Sequence, residues 1–138
     1  MSHALAIVHA LLAAVLTLAS LAVAWRPADA RARVGSRIAA FAAISTAVLG
    51  ASRLRVFEPT TRRATYFASH AAGAWLDRKM HFGLAACAFA LALGALAFAP
   101  KSSPRVTRIV ATLTFAFACF AWLALVYVHA RAPAAVLE

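Results

Sequence analysis

The sequence predicts an all-α integral membrane protein, a four-helix bundle with a short interfacial helix between helices 2 and 3. Of its 138 residues, 64% are hydrophobic and 13% are charged, which is too little polar surface for a soluble domain of this length. Four apolar runs have lengths near the roughly 20 residues that cross a bilayer. Arginines, lysines and prolines collect between these runs. We therefore expect a single transmembrane domain over residues 1–138, in contact with the lipid bilayer.

The four spans are predicted at residues 4–25, 38–52, 80–99 and 106–129. Pro27 ends the first helix, and Ser36 is placed to cap the second. The second span is the shortest, so it can cross if the side chains of Arg37 and Arg53 reach the headgroups from its two ends or if the bilayer thins locally. A short turn over residues 100–104 joins the last two spans, which makes them antiparallel neighbours.

The connection from Arg53 to Lys79 is too long for a turn. Glu58-Pro59-Thr60-Thr61 is typical of a bend followed by a helix start, and apolar residues then recur at helical spacing as far as Trp75. We expect a helix that lies in the plane of the interface, with Tyr66 and Trp75 at headgroup level.

If all four helices cross the membrane, every histidine of the chain lies on one side of it. The N-terminus, the long middle connection and the C-terminus share that side, which holds His3, His9, His70, His81 and His129. The other side carries arginines, one lysine and one aspartate. Titratable groups collected in this way predict a polar site at one end of the bundle.

His9 is the residue that most favours a binding function. It lies inside the first span on the same helical face as Thr17 and Ser20, and a titratable group in a span usually faces the bundle or a cavity. His129 ends the fourth helix, and we expect it at the same depth. The two imidazoles are candidate metal ligands, in particular for the iron of a b-type haem. A neutral His9 hydrogen-bonded between helices and an interfacial His129 are the plainer alternatives.

Four further side chains are candidates for holding such a cofactor. Lys79 and His81 open the third span, and Arg53 and Arg55 follow the second. Arginine N–H groups suit carboxylates such as haem propionates, because they bind both oxygens at once. The lysine and the arginines also have a structural alternative, since long basic side chains at a span end reach for the headgroups.

Other classes of function have little support in the residues. The net charge of +10 comes from cations at helix ends and not from a basic patch with interleaved aromatics, so we expect no nucleic-acid partner. No nucleotide-binding loop, HExxH or GxSxG motif occurs. Cys87 and Cys119 are expected to be unpaired thiols inside the spans, and no Met-rich or Cys-rich set supports copper handling.

The middle of the chain resembles a known family. Gly50-Ala51-Ser52-Arg53-Leu54-Arg55-Val56-Phe57, followed by Tyr66-Phe67, Trp75 and Lys79, is similar to the pattern of an uncharacterised bacterial family of four-helix membrane proteins, domain of unknown function 2214. It is more distantly similar to HemJ-type protoporphyrinogen oxidases and the CopD membrane domain. The resemblance covers the chain from about His9 to Pro100 and implies a haem or redox role for His9 and Lys79. The Leu-Pro-Arg signature of the HemJ type is missing, so oxidase activity is not implied.

Two functions therefore stay open. The chain is expected to be a haem-binding or redox-associated protein of the bacterial inner membrane, or else a non-enzymatic accessory subunit. The accessory subunit would pack small-residue stripes against a larger membrane complex, and a homo-oligomer is also open. The stripes are Ala39, Ala43, Ala47 and Ala51 on the second helix and Ala86, Ala90 and Gly94 on the third. The cations divide equally between the two sides, so the positive-inside rule decides little, although the two short loops favour periplasmic termini. A cavity lined by the histidines would favour the haem-binding function. A solid apolar core would favour the accessory role.

Overall fold

The computed structural model describes residues 3–132, with side chains for residues 4–52 and 60–132. The described chain is helical and has no strands, its elements being α1 (His3–Trp25), α2 (Ala30–Phe57), a π-helical turn (Glu58–Arg62), α3 (Arg63–Ala68), α4 (His70–Phe98) and α5 (Pro104–Arg131). The four long helices are each apolar and long enough to cross a membrane. The predicted four-helix membrane bundle with a short helix before the third span is thereby confirmed.

The second helix begins earlier than the sequence pattern predicts. α2 starts at Ala30 rather than near Ile38, because alanine and arginine both favour helix and the basic stretch continues it. Ser36, the predicted cap, therefore lies inside α2 and donates its hydroxyl to the carbonyl of Ala32 at 2.8 Å. The charges in this stretch mark the membrane surface and not a break in the helix.

The third long helix also begins earlier, at His70 rather than Met80. Ser69 has an extended backbone (φ −161°, ψ 119°) that separates α3 from α4, and its side-chain oxygen accepts the N–H of Ala72 at 3.3 Å. The segment up to Trp75, predicted as part of the interfacial helix, forms the first turns of α4. The short helix before the third span is α3 alone.

The long helices form a ring in which α1 and α4 each pack against both α2 and α5. Neighbours run antiparallel, since Gly50 faces His9 at one end of the α1–α2 contact and Gly35 faces Val23 at the other. Consequently α1 and α4 begin, and α2 and α5 end, at the same end of the bundle. We call it the histidine end; the histidines there whose side chains are described are His9, His70, His81 and His129. The opposite end, where residues 26–29 and 99–103 connect the helices, is the loop end.

Small residues let the helix backbones approach closely. The buried core consists largely of alanine, including Ala39, Ala42, Ala43, Ala86, Ala90, Ala111 and Ala118. A Cβ added at Gly94 would lie 2.6 Å from the Cβ of Ala40, and the thiol of Cys87 reaches the carbonyl of Ala43 at 3.6 Å. These contacts between α2 and α4 are the close packing that stabilises helix pairs in lipid. Much of the predicted small-residue stripes is thus buried inside the bundle.

Candidate functional site at the histidine end

Arg62, Tyr66 and Asp77 form a hydrogen-bonded network at the histidine end, which we call the polar platform. Arg62 donates from Nε to Oδ1 of Asp77 at 2.8 Å and from Nη2 to Oδ2 at 3.0 Å. The Tyr66 hydroxyl donates to the same Oδ2 at 2.7 Å. Because both carboxylate oxygens are engaged in a bidentate pair, the network fixes orientation as well as adding energy.

The local fold brings the three side chains of the platform together. Arg62 and Tyr66 lie four residues apart along a helical stretch, so they share a face, and the guanidinium carbon lies 5.6 Å from the centre of the Tyr66 ring. The break at Ser69 lets α3 pack against the start of α4. There the Tyr66 ring occupies the space that a Cβ of Gly73 would need. The platform therefore depends on a glycine as well as on its polar groups.

The platform lies at the edge of the hydrocarbon region. From Met80 to Ala99 the chain carries no Asp, Glu, Lys or Arg, a stretch of about 30 Å of helix, which matches the thickness of a bilayer core. Residues before Met80 thus reach the headgroups. Trp75 and Tyr127 lie there in ring contact, with centroids 5.5 Å apart, as expected for an aromatic belt.

The phenol of Tyr66 is held in its protonated form. The hydrogen bond to the Asp77 carboxylate raises the pKa of Tyr66 above its ordinary value, and loss of hydration and the negative charge of Asp77 act in the same direction. The Arg62 guanidinium opposes them more weakly. At neutral pH the Tyr66 hydroxyl therefore keeps its proton and donates a hydrogen bond to the Asp77 carboxylate.

His81 and His129 both face outward from the bundle. Nδ1 of His81 lies 2.8 Å from the carbonyl oxygen of Asp77, and Nδ1 of His129 lies 3.0 Å from that of Leu125. A carbonyl oxygen only accepts, so Nδ1 carries the proton in each ring. In the neutral ring Nε2 then presents its lone pair on an exposed side chain, the arrangement that ligating histidines adopt.

His9 is half-buried and lies against α2. A Cβ added at Gly50 would be 3.7 Å from Cε1 of its imidazole. Contacts across the ring of helices place His9 at about the level of Phe82 on α4 and of Phe120 on α5. His129 is further along α5 by more than two turns, or about 13 Å along the bundle axis. This register does not support the expectation that His9 and His129 share one depth and one iron.

The other predicted cofactor residues are Lys79, Arg53 and Arg55. Lys79 is half-buried at the start of the uncharged stretch of α4, within about one helical turn of the level of His9. The side chains of Arg53 and Arg55 lie outside the described residues. In the part of the chain that the structure describes, no group of three or more His, Cys, Asp or Glu side chains is close enough to hold a metal ion.

Aromatic rings fill the contact between α4 and α5. From the Trp75–Tyr127 pair toward the loop end, the centre of the Phe82 ring lies 5.5 Å from that of Phe120. Further along, Phe89 stacks on Phe117 with ring centres 5.6 Å apart. A porphyrin would have to displace these rings to enter between the two helices.

The platform is the feature that the sequence patterns missed. Asp77 pairs with a side chain fifteen residues earlier, and the pairing depends on a helix break at Ser69 that no proline or glycine marks. The available signal was a lone carboxylate next to an otherwise uncharged apolar run.

No family model, no curated protein and no solved structure matches this chain.

Proposed function

We propose that this protein is a non-enzymatic accessory subunit that docks through its histidine end onto a larger membrane protein. The observation that carries the proposal is the polar platform. It makes the middle connection a fixed polar surface at one end of the bundle, which suits contact with another protein. The alanine-rich core and the filled α4–α5 contact support the same conclusion.

An exposed aromatic next to the platform is the best candidate for a docking contact. Phe67, on α3, is 83% exposed and adjoins Tyr66, whose ring is fixed against Gly73. Large aromatics that protrude from a rigid surface are typical interface anchors. The exposed cations Arg63 and Arg78 favour a partner with acidic residues at the same membrane depth.

The proposal can be tested with two exposed phenylalanines at opposite ends of the molecule. Phe98, at the loop end, is 72% exposed and serves as the matched control for Phe67. Tagged protein would be extracted from native membranes in mild detergent and sized on a native gel. We expect a complex larger than the 14.5 kDa chain that is lost in Phe67→Ser and retained in Phe98→Ser. Equal behaviour of the two variants, or migration of the wild type as a lone chain, would reject the proposal.

We place the protein in the bacterial inner membrane with the histidine end in the periplasm. The support is the set of cations at the loop end, which lie in the two short connections or in the first turns of the helices that follow them: Arg26, Arg31, Arg33, Arg37, Lys101, Arg105 and Arg108. A cysteine introduced by Ser102→Cys should react with an impermeant maleimide only after the cells are permeabilised. Labelling in intact cells would reverse the orientation.

A haem-associated role is the second candidate, and the outward Nε2 of His81 favours it. Nε2 of His81 would ligate the iron of a haem bound on the outer surface of the bundle. The haem would supply electron transfer there. The half-buried side chains of His9 and Lys79 lie at nearly the same membrane depth. An optical spectrum of protein purified from haem-replete cells tests this role. A Soret band lost in His81→Ala and retained in His70→Ala would support it, whereas a colourless protein that stays colourless after haem addition would remove it.

A further inference from the structure

A groove at the loop end lies between the end of α1 and the start of α5. Its volume is about 750 Å³. The residues that matter for its chemistry are Trp25, Arg26, Asp29, Arg105, Arg108 and Ile109. Because α1 ends at Trp25 and α5 begins at Pro104, the groove opens at the level where both spans leave the hydrocarbon.

The groove is positively charged. It contains three arginines and one aspartate, and in the part of the chain that the structure describes none of the three guanidinium groups forms an ion pair with a carboxylate. Oδ1 of Asp29 accepts the backbone N–H of Arg31 at 3.0 Å, so this carboxylate is engaged at the start of α2. The guanidinium groups of Arg26, Arg105 and Arg108 are therefore available to an anion.

The N-terminus of α5 adds to this positive field. Ser103 precedes the helix and makes no side-chain cap hydrogen bond, and the first turn contains no acidic residue. The N–H groups of Arg105 and Val106 belong to the first turn and have no partner within the helix. Phosphate groups are stabilised at such a terminus, because the N–H groups and the helix dipole both favour negative charge.

A second, apolar groove continues from the first along the outer face of α1. It has a volume of about 450 Å³ and is lined by Leu18, Leu21 and Ala22 together with Trp25 and Arg26, the last two shared with the basic groove. These residues recur at helical spacing on one face. The side chain of Leu18 is 65% exposed and that of Trp25 is 77% exposed. The apolar groove thus runs from the headgroup level toward the middle of the membrane.

We propose that the loop end binds one anionic glycerophospholipid. Its phosphate lies among Arg26, Arg105 and Arg108 at the N-terminus of α5, and one acyl chain follows Leu21 and Leu18. The positive charge of the basic groove favours an anion. Because this groove continues into the apolar groove, a lipid is favoured over free phosphate. A bound lipid of this kind would join α1 to α5, the first and last spans in the chain.

The test is native mass spectrometry of the protein in detergent, titrated with phosphatidylglycerol or with phosphatidylcholine of the same acyl chains. We expect phosphatidylglycerol to bind at least about tenfold more tightly, since arginines near a membrane surface each favour anionic lipid. The double variant Arg105→Gln/Arg108→Gln should lose this preference. The matched variant Arg31→Gln/Arg33→Gln, which removes two exposed arginines at the same end that do not line the groove, should keep it.

Two further arms distinguish the sources of the phosphate group. Glycerol phosphate at millimolar concentration should not displace the lipid, and Leu18→Asn should weaken binding while the preference for the anionic headgroup persists. Equal affinity of the wild type for the two lipids would overturn the proposal whether or not the variants fold. Binding of glycerol phosphate as tight as that of the lipid would overturn the assignment of the apolar groove to an acyl chain.

Discussion

Gly94→Ala is the substitution that tests the packing of the bundle most sharply. Gly94 on α4 faces Ala40 on α2, and an added methyl carbon would lie 2.6 Å from the Cβ of Ala40. Carbon atoms in contact prefer separations of about 3.5–4.0 Å. α2 and α4 would therefore have to move apart by about 1 Å at this point, which would weaken the alanine contacts around it.

The expected loss follows from two opposing effects. Overpacking of a close contact costs about 1–3 kcal/mol, whereas replacing glycine by alanine in a helix gains up to about 1 kcal/mol. Gly83 provides the matched control, because it lies on the same helix and an added Cβ there meets no atom within 4 Å. The free energies of unfolding of Gly94→Ala and Gly83→Ala should thus differ by about 1–3 kcal/mol, with Gly94→Ala the less stable.

The assay is reversible unfolding in mixed micelles with increasing sodium dodecyl sulfate, followed by tryptophan fluorescence. Ala40→Gly combined with Gly94→Ala should recover part of the loss, because it removes the opposing methyl group. Equal unfolding midpoints for Gly94→Ala and Gly83→Ala would contradict the close approach of α2 and α4 at Gly94.

Three predictions concern the polar platform. Asp77→Asn should lower the free energy of unfolding by about 1 kcal/mol, a modest loss because the Arg62 side chain is 40% exposed and water screens such a pair; an unchanged unfolding midpoint would argue against the network. In a Tyr127→Phe background, the tyrosinate absorbance of Tyr66 should titrate above pH 10.0 and return toward it with Asp77→Asn. Because its pKa is raised, the stabilisation from Tyr66 is present below that pH and is lost as the pH rises through the raised pKa. Gly73→Ala should displace the Tyr66 ring and abolish the upward pKa shift while circular dichroism still shows a helical protein.

The number and order of the spans could be predicted because lipid imposes simple rules on composition. Apolar runs of sufficient length must be helices in lipid, and this is why residues 80–99 and 106–129 match the apolar parts of α4 and α5. The first and last residues of each helix are harder to predict, because a helix continues beyond the membrane wherever the sequence tolerates it. Helices α2 and α4 begin at Ala30 and His70, within the headgroup region. The change in polarity at Ile38 and Met80 therefore marks the membrane surface and not the start of a helix.

The candidate site was less predictable because it depends on contacts between distant residues. The grouping of histidines at one end follows from counting spans, but the depth of each depends on helix register. Contacts such as Gly50 with His9 set that register, and they separate His9 from His129. The pairing of Arg62 with Asp77 required knowledge of the break at Ser69, which depends on how α3 packs against α4.

The most direct test of the proposed function is the composition of the particle that contains this protein in its own membrane. Native mass spectrometry of the tagged chain, released from native membrane discs, would give the masses of everything bound to it. The proposed function predicts at least one different polypeptide in stable stoichiometry with the chain. Release of the chain alone, as copies of itself, or with a haem and no other polypeptide, would contradict it.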